Sequence, residues 1–346
     1  MGIREFGNKG SKITEVLRLV SPGTILRTAI DDILRAEMGA LIVVDSPSLK
    51  KIIETGFKVN CKMTPQKIVE LAKMDGAIIL SSDLSKILYA NVLLVPDVSI
   101  NTSETGTRHK AGERTAKQAQ TLVIAISERR KKISVYHGNM RYILQNKEEL
   151  LSRATENLQI LEKQREIFDE LLSNLNVLEI SGLVSVSDIC AVLQRTEMIN
   201  RTAKILERYL IELGKEGIII RMRLRELLKN IDADKSLILR DYGADGEKKD
   251  ILNGFSFDEL LDLENIAKAI FSLSLDNKMQ PKGYRILSKI NFDKANLEKI
   301  MANFNYLESI LDADESGLKK IIGEKAKDFQ KEISSLKEQI IISRKI

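Results

Sequence analysis

The chain of 346 residues carries only two cysteines, Cys61 and Cys190. Their wide separation matches neither a zinc knuckle nor a disulfide framework, so a reducing, cytoplasmic setting is expected. Long hydrophobic runs are missing too. No apolar stretch reaches the ~18 residues that a membrane span needs, which takes the membrane off the list of expected partners. The opening MGIREFGNKGSKITEV lacks the apolar core of a secretory signal. Met1-Gly2-Ile-Arg-Glu-Phe6 also lacks the Ser or Thr of a myristoylation site. Proline is scarce and unevenly spread. Pro22, Pro47, Pro65 and Pro96 fall in the first hundred residues and only Pro281 follows, so residues 97–280 contain no proline to break a helix.

Apolar residues make up 43% of the chain and charged residues 30%, a balance that excludes a disordered chain and suits two or three globular domains. A net charge of +5 is too small to demand a nucleic-acid partner, so its distribution matters more. Between Glu104 and Arg141 nine basic residues (Arg108, Lys110, Arg114, Lys117, Arg129, Arg130, Lys131, Lys132 and Arg141) face three acidic ones (Glu104, Glu113 and Glu128). That local excess of six exceeds the excess of the whole chain, and a field of this kind suits a phosphate-bearing ligand.

Up to about Asn146 the chain alternates in type. Thr24 opens a segment with Leu26, Ala29, Ile30, Ile33 and Leu34 at helical spacing. Gly39-Ala-Leu-Ile-Val-Val44 is an unbroken apolar run, as in a strand buried on both faces. Thr64-Pro65 reads as an N-cap followed by proline at the first helical position, with Ile68, Leu71 and Ala72 as the buried stripe. Strands are expected at Gly76–Leu80, Ile87–Val95, Thr121–Ser127 and Ile133–His137, and a helix from about Gly112 to Ala119. The sum is an α/β domain with a mixed sheet covered by helices, over 1–146.

From Lys147 to Lys278 the pattern is helical throughout. Leu151, Ala154, Leu158 and Leu161 form one stripe; Ile199, Ala203, Leu206, Leu210 and Leu213 form another at alternating 4-3 spacing, as packed antiparallel helices need. An all-α bundle is expected over 147–281, with a surface loop around Asp241–Lys249. A separate small helical unit follows over 282–346, with thirteen basic and ten acidic side chains. Asp312-Ala-Asp-Glu-Ser-Gly317 imitates the start of a calcium loop, but its twelfth position is Gly323 instead of the bidentate Glu. Asp312 or Asp314 is instead expected to cap a helix beginning near Glu315.

Chemistry is expected in the first domain. Asp75-Gly76-Ala77 stands at the front edge of a buried strand, where a carboxylate suits a hard divalent ion that also holds substrate phosphates. Gly106-Thr107-Arg108-His109-Lys110 leads into a helix, whose free N–H groups and positive dipole end attract phosphate. Taken singly, Asp75 reads equally as a turn residue and His109 as a hydrogen-bonded side chain.

The two motifs together, with Ser21-Pro-Gly-Thr24, Ala90-Asn-Val92, Leu94-Val-Pro-Asp97 and Gly283-Tyr-Arg-Ile-Leu287, resemble the diadenylate cyclases. The resemblance is to the form with a cyclase domain, a helical spine and a helix-hairpin-helix DNA-binding tail. It implies condensation of two ATP to cyclic di-AMP and two pyrophosphates, with Mg²⁺ or Mn²⁺. It also implies an octamer in which cyclase domains meet head to head, since one site holds one nucleotide and the product has two symmetric bonds. By the same resemblance Asp75 holds the metal and positions or deprotonates the 3′-hydroxyl. Arg108, His109 and Lys110 bind the triphosphate, and Gly76 and Ala77 let ribose and phosphate approach. Thr107, Ser127 and Arg130 add contacts, and Leu94 meets adenine.

The chain departs from the family pattern in two places. Lys110 stands where the family motif has arginine, and Ala111-Gly112 where Thr-Ala is usual, so slower turnover is expected. The tail segment Leu318–Ala326 keeps only Gly323 of the Gly-x-Gly turn that grips a DNA phosphate, which weakens the expectation of DNA binding. Two other readings stay open: a catalytically silent nucleotide-binding scaffold, and a DNA-structure binder in which nucleotide chemistry is secondary.

Overall fold

The computed structural model describes residues 6–244 and 246–342; Met1–Glu5, Asp245 within the expected surface loop, and 343–346 lie outside the described residues. The chain folds as two compact units. One comprises the residues up to Thr155 together with Glu207–Arg221; the other comprises Glu156–Leu206 and the chain from Met222 onward.

The first unit begins with α1 (Phe6–Leu19) and α2 (Ile25–Arg35), then β1 (Ala40–Val44), β2 (Ile53–Lys62), α3 (Pro65–Ala72), β3 (Ala77–Leu80) and β4 (Lys86–Leu94). It continues with α4 (Thr107–Ala119), β5 (Leu122–Ser127), β6 (Lys132–His137) and β7 (Met140–Ile143). The seven strands form one sheet in the order β2-β4-β3-β1-β5-β6-β7. Only β1 and β3 run parallel, so the sheet is mixed. Period-two alternation sends neighbouring residues to opposite cores. Ile42, Ile78 and Ile124 join Leu26, Ile30 and Ile68 of α2 and α3, whereas Leu41, Val43, Ile79 and Val123 join Ala116 and Ala119 of α4.

The helix starts follow local chemistry. Thr24 caps α2 by accepting the Arg27 N–H at 3.1 Å, and Thr64 caps α3, with Pro65 at the first helical position. α4 begins at Thr107, five residues before the expected Gly112. Its first turn is polar and carries no apolar stripe, so hydrophobic periodicity misses it. The expected strands are present, and α1, β2 and β7 are additions to them.

The remaining helices are α5 (Lys147–Ile180), α6 (Val186–Leu213), α7 (Ile218–Leu227), α8 (Ile231–Asp241), α9 (Phe257–Leu261) and α10 (Leu263–Ile270). They are followed by α11 (Tyr284–Leu287), α12 (Lys294–Asn303), α13 (Leu307–Leu311), α14 (Glu315–Ile322) and α15 (Ala326–Ile342). Asp314 caps α14 by accepting the Gly317 N–H at 3.0 Å, so this carboxylate has a local structural use. The C-terminal helices enclose an apolar core that includes Ile286, Ile300, Leu307, Leu318 and Phe329.

One buried polar network ties α5, α8 and α11 together. Arg285, fully buried, donates to Glu179 at 2.6 Å and to Asn176 at 2.5 Å. Tyr242 donates its hydroxyl to the other Glu179 oxygen at 2.8 Å. The Asp241 carboxylate accepts the backbone N–H groups of Gly283, Tyr284 and Arg285 at 2.8, 2.6 and 3.0 Å. Burial, with Glu179 adding repulsion, pushes the Asp241 carboxyl up to about 6 in spite of those donors.

Candidate nucleotide-binding site

The strand pairing gathers residues from distant parts of the chain at one end of the sheet. Leu41 pairs with Ala77 and Ala40 with Ile126. Continuing both registers outward sets Gly39 between Asp75 on the β3 side and Ser127 on the β5 side. Leu94 ends β4 at the same edge, because Val92 pairs with Ala77. Asp75 is exposed there, and its side chain has no hydrogen-bond or ion-pair partner among the described residues.

The N-terminus of α4 opens beside this edge. Its N-cap is Gly106, which supplies no side-chain cap, and no acidic residue stands in the first turn. The N–H groups of Thr107, Arg108 and His109 thus remain available to an anion. The Arg108 guanidinium lies against Gly39: a Cβ built on that glycine would stand 2.1 Å from Arg108 Nη1.

A cavity of about 440 Å³ lies between the α4 start and the β5–β6 turn. Thr107, Arg108, His109, Ser127 and Arg130 all line it, and Arg129, Lys132 and Arg141 add positive charge. The Ser127 hydroxyl accepts the Arg130 N–H at 3.3 Å and so shapes the turn that presents Arg130. Such a size and polarity suit a phosphate-bearing small molecule. Burial holds the His109 imidazole below its ordinary range; Arg108, Arg130 and Arg141 push the same way, and Glu104 opposes them.

Glu104 is the one acidic group of the cavity that is tied into it. Its side chain is 10% exposed and accepts from Tyr136 Oη at 2.8 Å and Arg141 Nε at 2.6 Å. The loop that carries Glu104 is pinned to α4 by Glu113, which accepts from the Thr102 hydroxyl and the Ser103 N–H. Arg114 and Lys117 reinforce that loop by donating to the carbonyls of Ile100 and Asn101 at 3.0 and 2.7 Å. Burial raises the Tyr136 phenol well above its usual range, so it stays a donor to Glu104. The sequence alone does not show that Glu104 and Arg141 pair. Their pairing depends on β7, too short to leave a pattern.

The other expected residues sit close by but outside the cavity lining. Ala77 and Leu94 are buried in the core between the sheet and α4. Lys110 is half-buried in the first turn of α4 and does not line the cavity. Gly76 has φ +88°, and a Cβ there would meet Asn91 C and Val92 O at 2.8 Å, so its lack of a side chain serves the approach of β4. Gly76→Ala is expected to destabilise the first unit by about 2–4 kcal/mol, from the left-handed backbone and the backbone clash. Thermal unfolding checks this; an unchanged midpoint would show that the strands separate at no cost.

The chain is similar to known proteins. Residues 27–141 match the family described as DisA bacterial checkpoint controller nucleotide-binding, and residues 144–278 match the DisA bacterial checkpoint controller linker region. The chain is 41% identical over 348 aligned residues to the DNA integrity scanning protein DisA of Clostridium botulinum (strain Loch Maree / Type A3), covering 97% of this chain and 99% of that protein. It is 45% identical to the protein of the same name from Acetivibrio thermocellus, covering 98% of each. The solved structure of a double mutant of DacA from Staphylococcus aureus is 22% identical, covering 43% of this chain and 97% of that one with a TM-score of 0.31. With a cationic nucleotide-sized cavity on a mixed sheet, and likeness to the two DisA proteins along nearly its whole length, the chain belongs to the DNA integrity scanning protein DisA family of diadenylate cyclases.

Proposed function

We propose that this chain condenses two ATP molecules to cyclic di-AMP and two pyrophosphates, each of two facing copies holding one nucleotide in its cationic cavity. One observation carries the reading: the sheet register brings Asp75, Ser127 and the Arg108-bearing start of α4 to a single edge. Each 3′-oxygen would form a bond to the α-phosphorus of the other nucleotide as the bond to pyrophosphate breaks. Two nucleotides joined symmetrically require a two-fold pair of sites.

The α4 N–H groups, Arg108 and Arg130 would bind the triphosphate and stabilise charge on the departing pyrophosphate. Thr107 and Ser127 would supply hydroxyl contacts, and Leu94 would flank adenine from the end of β4. Asp75 would orient the 3′-hydroxyl and accept its proton. A lone, exposed, unpaired carboxylate fits a Mg²⁺ or Mn²⁺ site that relies on phosphate and water for its other ligands. Such an ion supplies charge neutralisation at the α-phosphate. Lys110 does not line the cavity of its own copy, which tempers the cost of lysine at this position.

The proposed division is a cyclase domain over 1–146, a helical spine over 147–281 and a tail over 282–346, assembled as an octamer with cyclase domains head to head. The tail would touch DNA through Lys319, Lys320, Lys325 and Lys327, non-specifically and with strong salt dependence. Incubating the protein with ATP and Mn²⁺ tests the reaction. Cyclic di-AMP with two pyrophosphates per product is expected; ATP bound without product would favour the silent scaffold.

The half-buried His109 also sets a pH dependence. Because its folded pKa lies below the ordinary value, the imidazole is neutral at pH 7, and a bound triphosphate would raise that pKa. Linkage then requires proton uptake on ATP binding and tighter binding as pH falls from about 7.5 to 6. Calorimetry in buffers of different ionisation heat measures the uptake, which His109→Gln is expected to reduce. Equal uptake by both proteins would remove His109 from the phosphate site.

A further inference from the structure

We propose that Gly39 is a positioning residue for Arg108: its missing side chain makes the shelf on which the guanidinium rests at the phosphate site. The inference rests on the reading of Arg108 as a triphosphate ligand. Glycine usually marks a turn that needs positive φ, but Gly39 does not have one. Space is what it provides. A Cβ at this position would lie 2.1 Å from Arg108 Nη1 and 2.9 Å from Cζ.

No polar partner fixes the Arg108 side chain among the described residues, whereas Glu104 fixes Arg141 at 2.6 Å. Packing on Gly39 therefore sets where the guanidinium lies. The location matters because Gly39 stands in register between Asp75 and Ser127, so the shelf faces the centre of the site. Any side chain at position 39 pushes the guanidinium outward by about an ångström or more, and a displacement of that size costs roughly 10²-fold where charge must be met in the transition state.

The same Cβ would also come within 3.2 Å of the Ile126 carbonyl, a tight backbone contact, so a small loss of stability accompanies the substitution. A double-mutant cycle separates the two effects, since Arg108→Ala removes the guanidinium and leaves the Ile126 contact in place. Three variants are compared with wild type: Gly39→Ala, Arg108→Ala and the double variant. The readouts are ATP affinity, cyclic di-AMP formation and the rate at which phenylglyoxal labels Arg108, followed by peptide mass spectrometry.

Gly39→Ala is expected to lower ATP affinity and turnover by about 10–100-fold and to speed Arg108 labelling. In the Arg108→Ala background the same change is expected to alter ATP affinity less than about twofold, in keeping with one shared effect. An equal loss in both backgrounds, or unaltered labelling, would overturn the proposal. Labelling does not depend on catalysis. If wild type binds ATP and makes no product, the proposed reaction fails, while the labelling rate still decides the role of Gly39.

Discussion

Asp75→Asn is expected to cut cyclic di-AMP formation by about 10³-fold or more, while ATP affinity changes only a few-fold. The side chain is exposed and has no hydrogen-bond or ion-pair partner among the described residues, so the substitution removes a function without removing a support. Asparagine keeps the volume and loses the negative charge. It can neither take the proton of the attacking hydroxyl nor hold a divalent cation with a carboxylate's strength; general-base loss alone is worth about 10²–10⁴-fold. Phosphate binding, by contrast, is assigned to α4 and the β5–β6 turn, which Asp75 does not line. Product formation measured beside an ATP titration separates these effects. Unchanged turnover would refute the assignment of Asp75, and an equal loss of binding and turnover would make it a nucleotide-binding group instead.

The largest stability effect is expected at Arg285. Its ion pair with Glu179 has both side chains fully buried, at 2.6 Å. Arg285→Met retains much of the volume but leaves the Glu179 carboxylate buried without its cation, which costs about 3–5 kcal/mol. Tyr242 still donates to Glu179, so the loss is expected to fall within this range and not beyond it. Chemical denaturation at pH 8 reads the size of the loss. A variant as stable as wild type at pH 8 would show that water or rearrangement compensates the charge. The motif Gly283-Tyr-Arg-Ile-Leu287 acquires a physical reason in this way: its first three backbone N–H groups grip Asp241 while its arginine answers Glu179.

What the sequence made legible follows from how local each signal is. Strands β1, β3 and β5 are buried on both faces and read as unbroken apolar runs. Strand β2 escaped notice because it is a largely exposed edge strand, interrupted by bulges and by Asn60 at φ +44°. The cap Thr64 was legible because capping needs one hydroxyl at one position, and Thr24 marked the start of its helix. The candidate site was legible only as two separate motifs. Asp75 and the Arg108-bearing start of α4 come to one edge of the sheet through the parallel pairing of β1 with β3 and through α4 lying on that sheet, and no window of sequence carries either fact. The role of Gly39 was not legible for the same reason: it read as the first residue of an apolar strand, and the guanidinium beside it comes from α4. The pairing of Glu104 with Arg141 likewise joins a loop to a four-residue strand.

The most direct test of the account is a crystal structure of the protein with 3′-deoxy-ATP, which can occupy the site but lacks the attacking hydroxyl. The account predicts one nucleotide per chain, its triphosphate between the start of α4 and Arg130, and two chains opposed so that each α-phosphate faces the other's ribose. A nucleotide seated away from Arg108, or occupied cavities with no second copy able to face them, would contradict it.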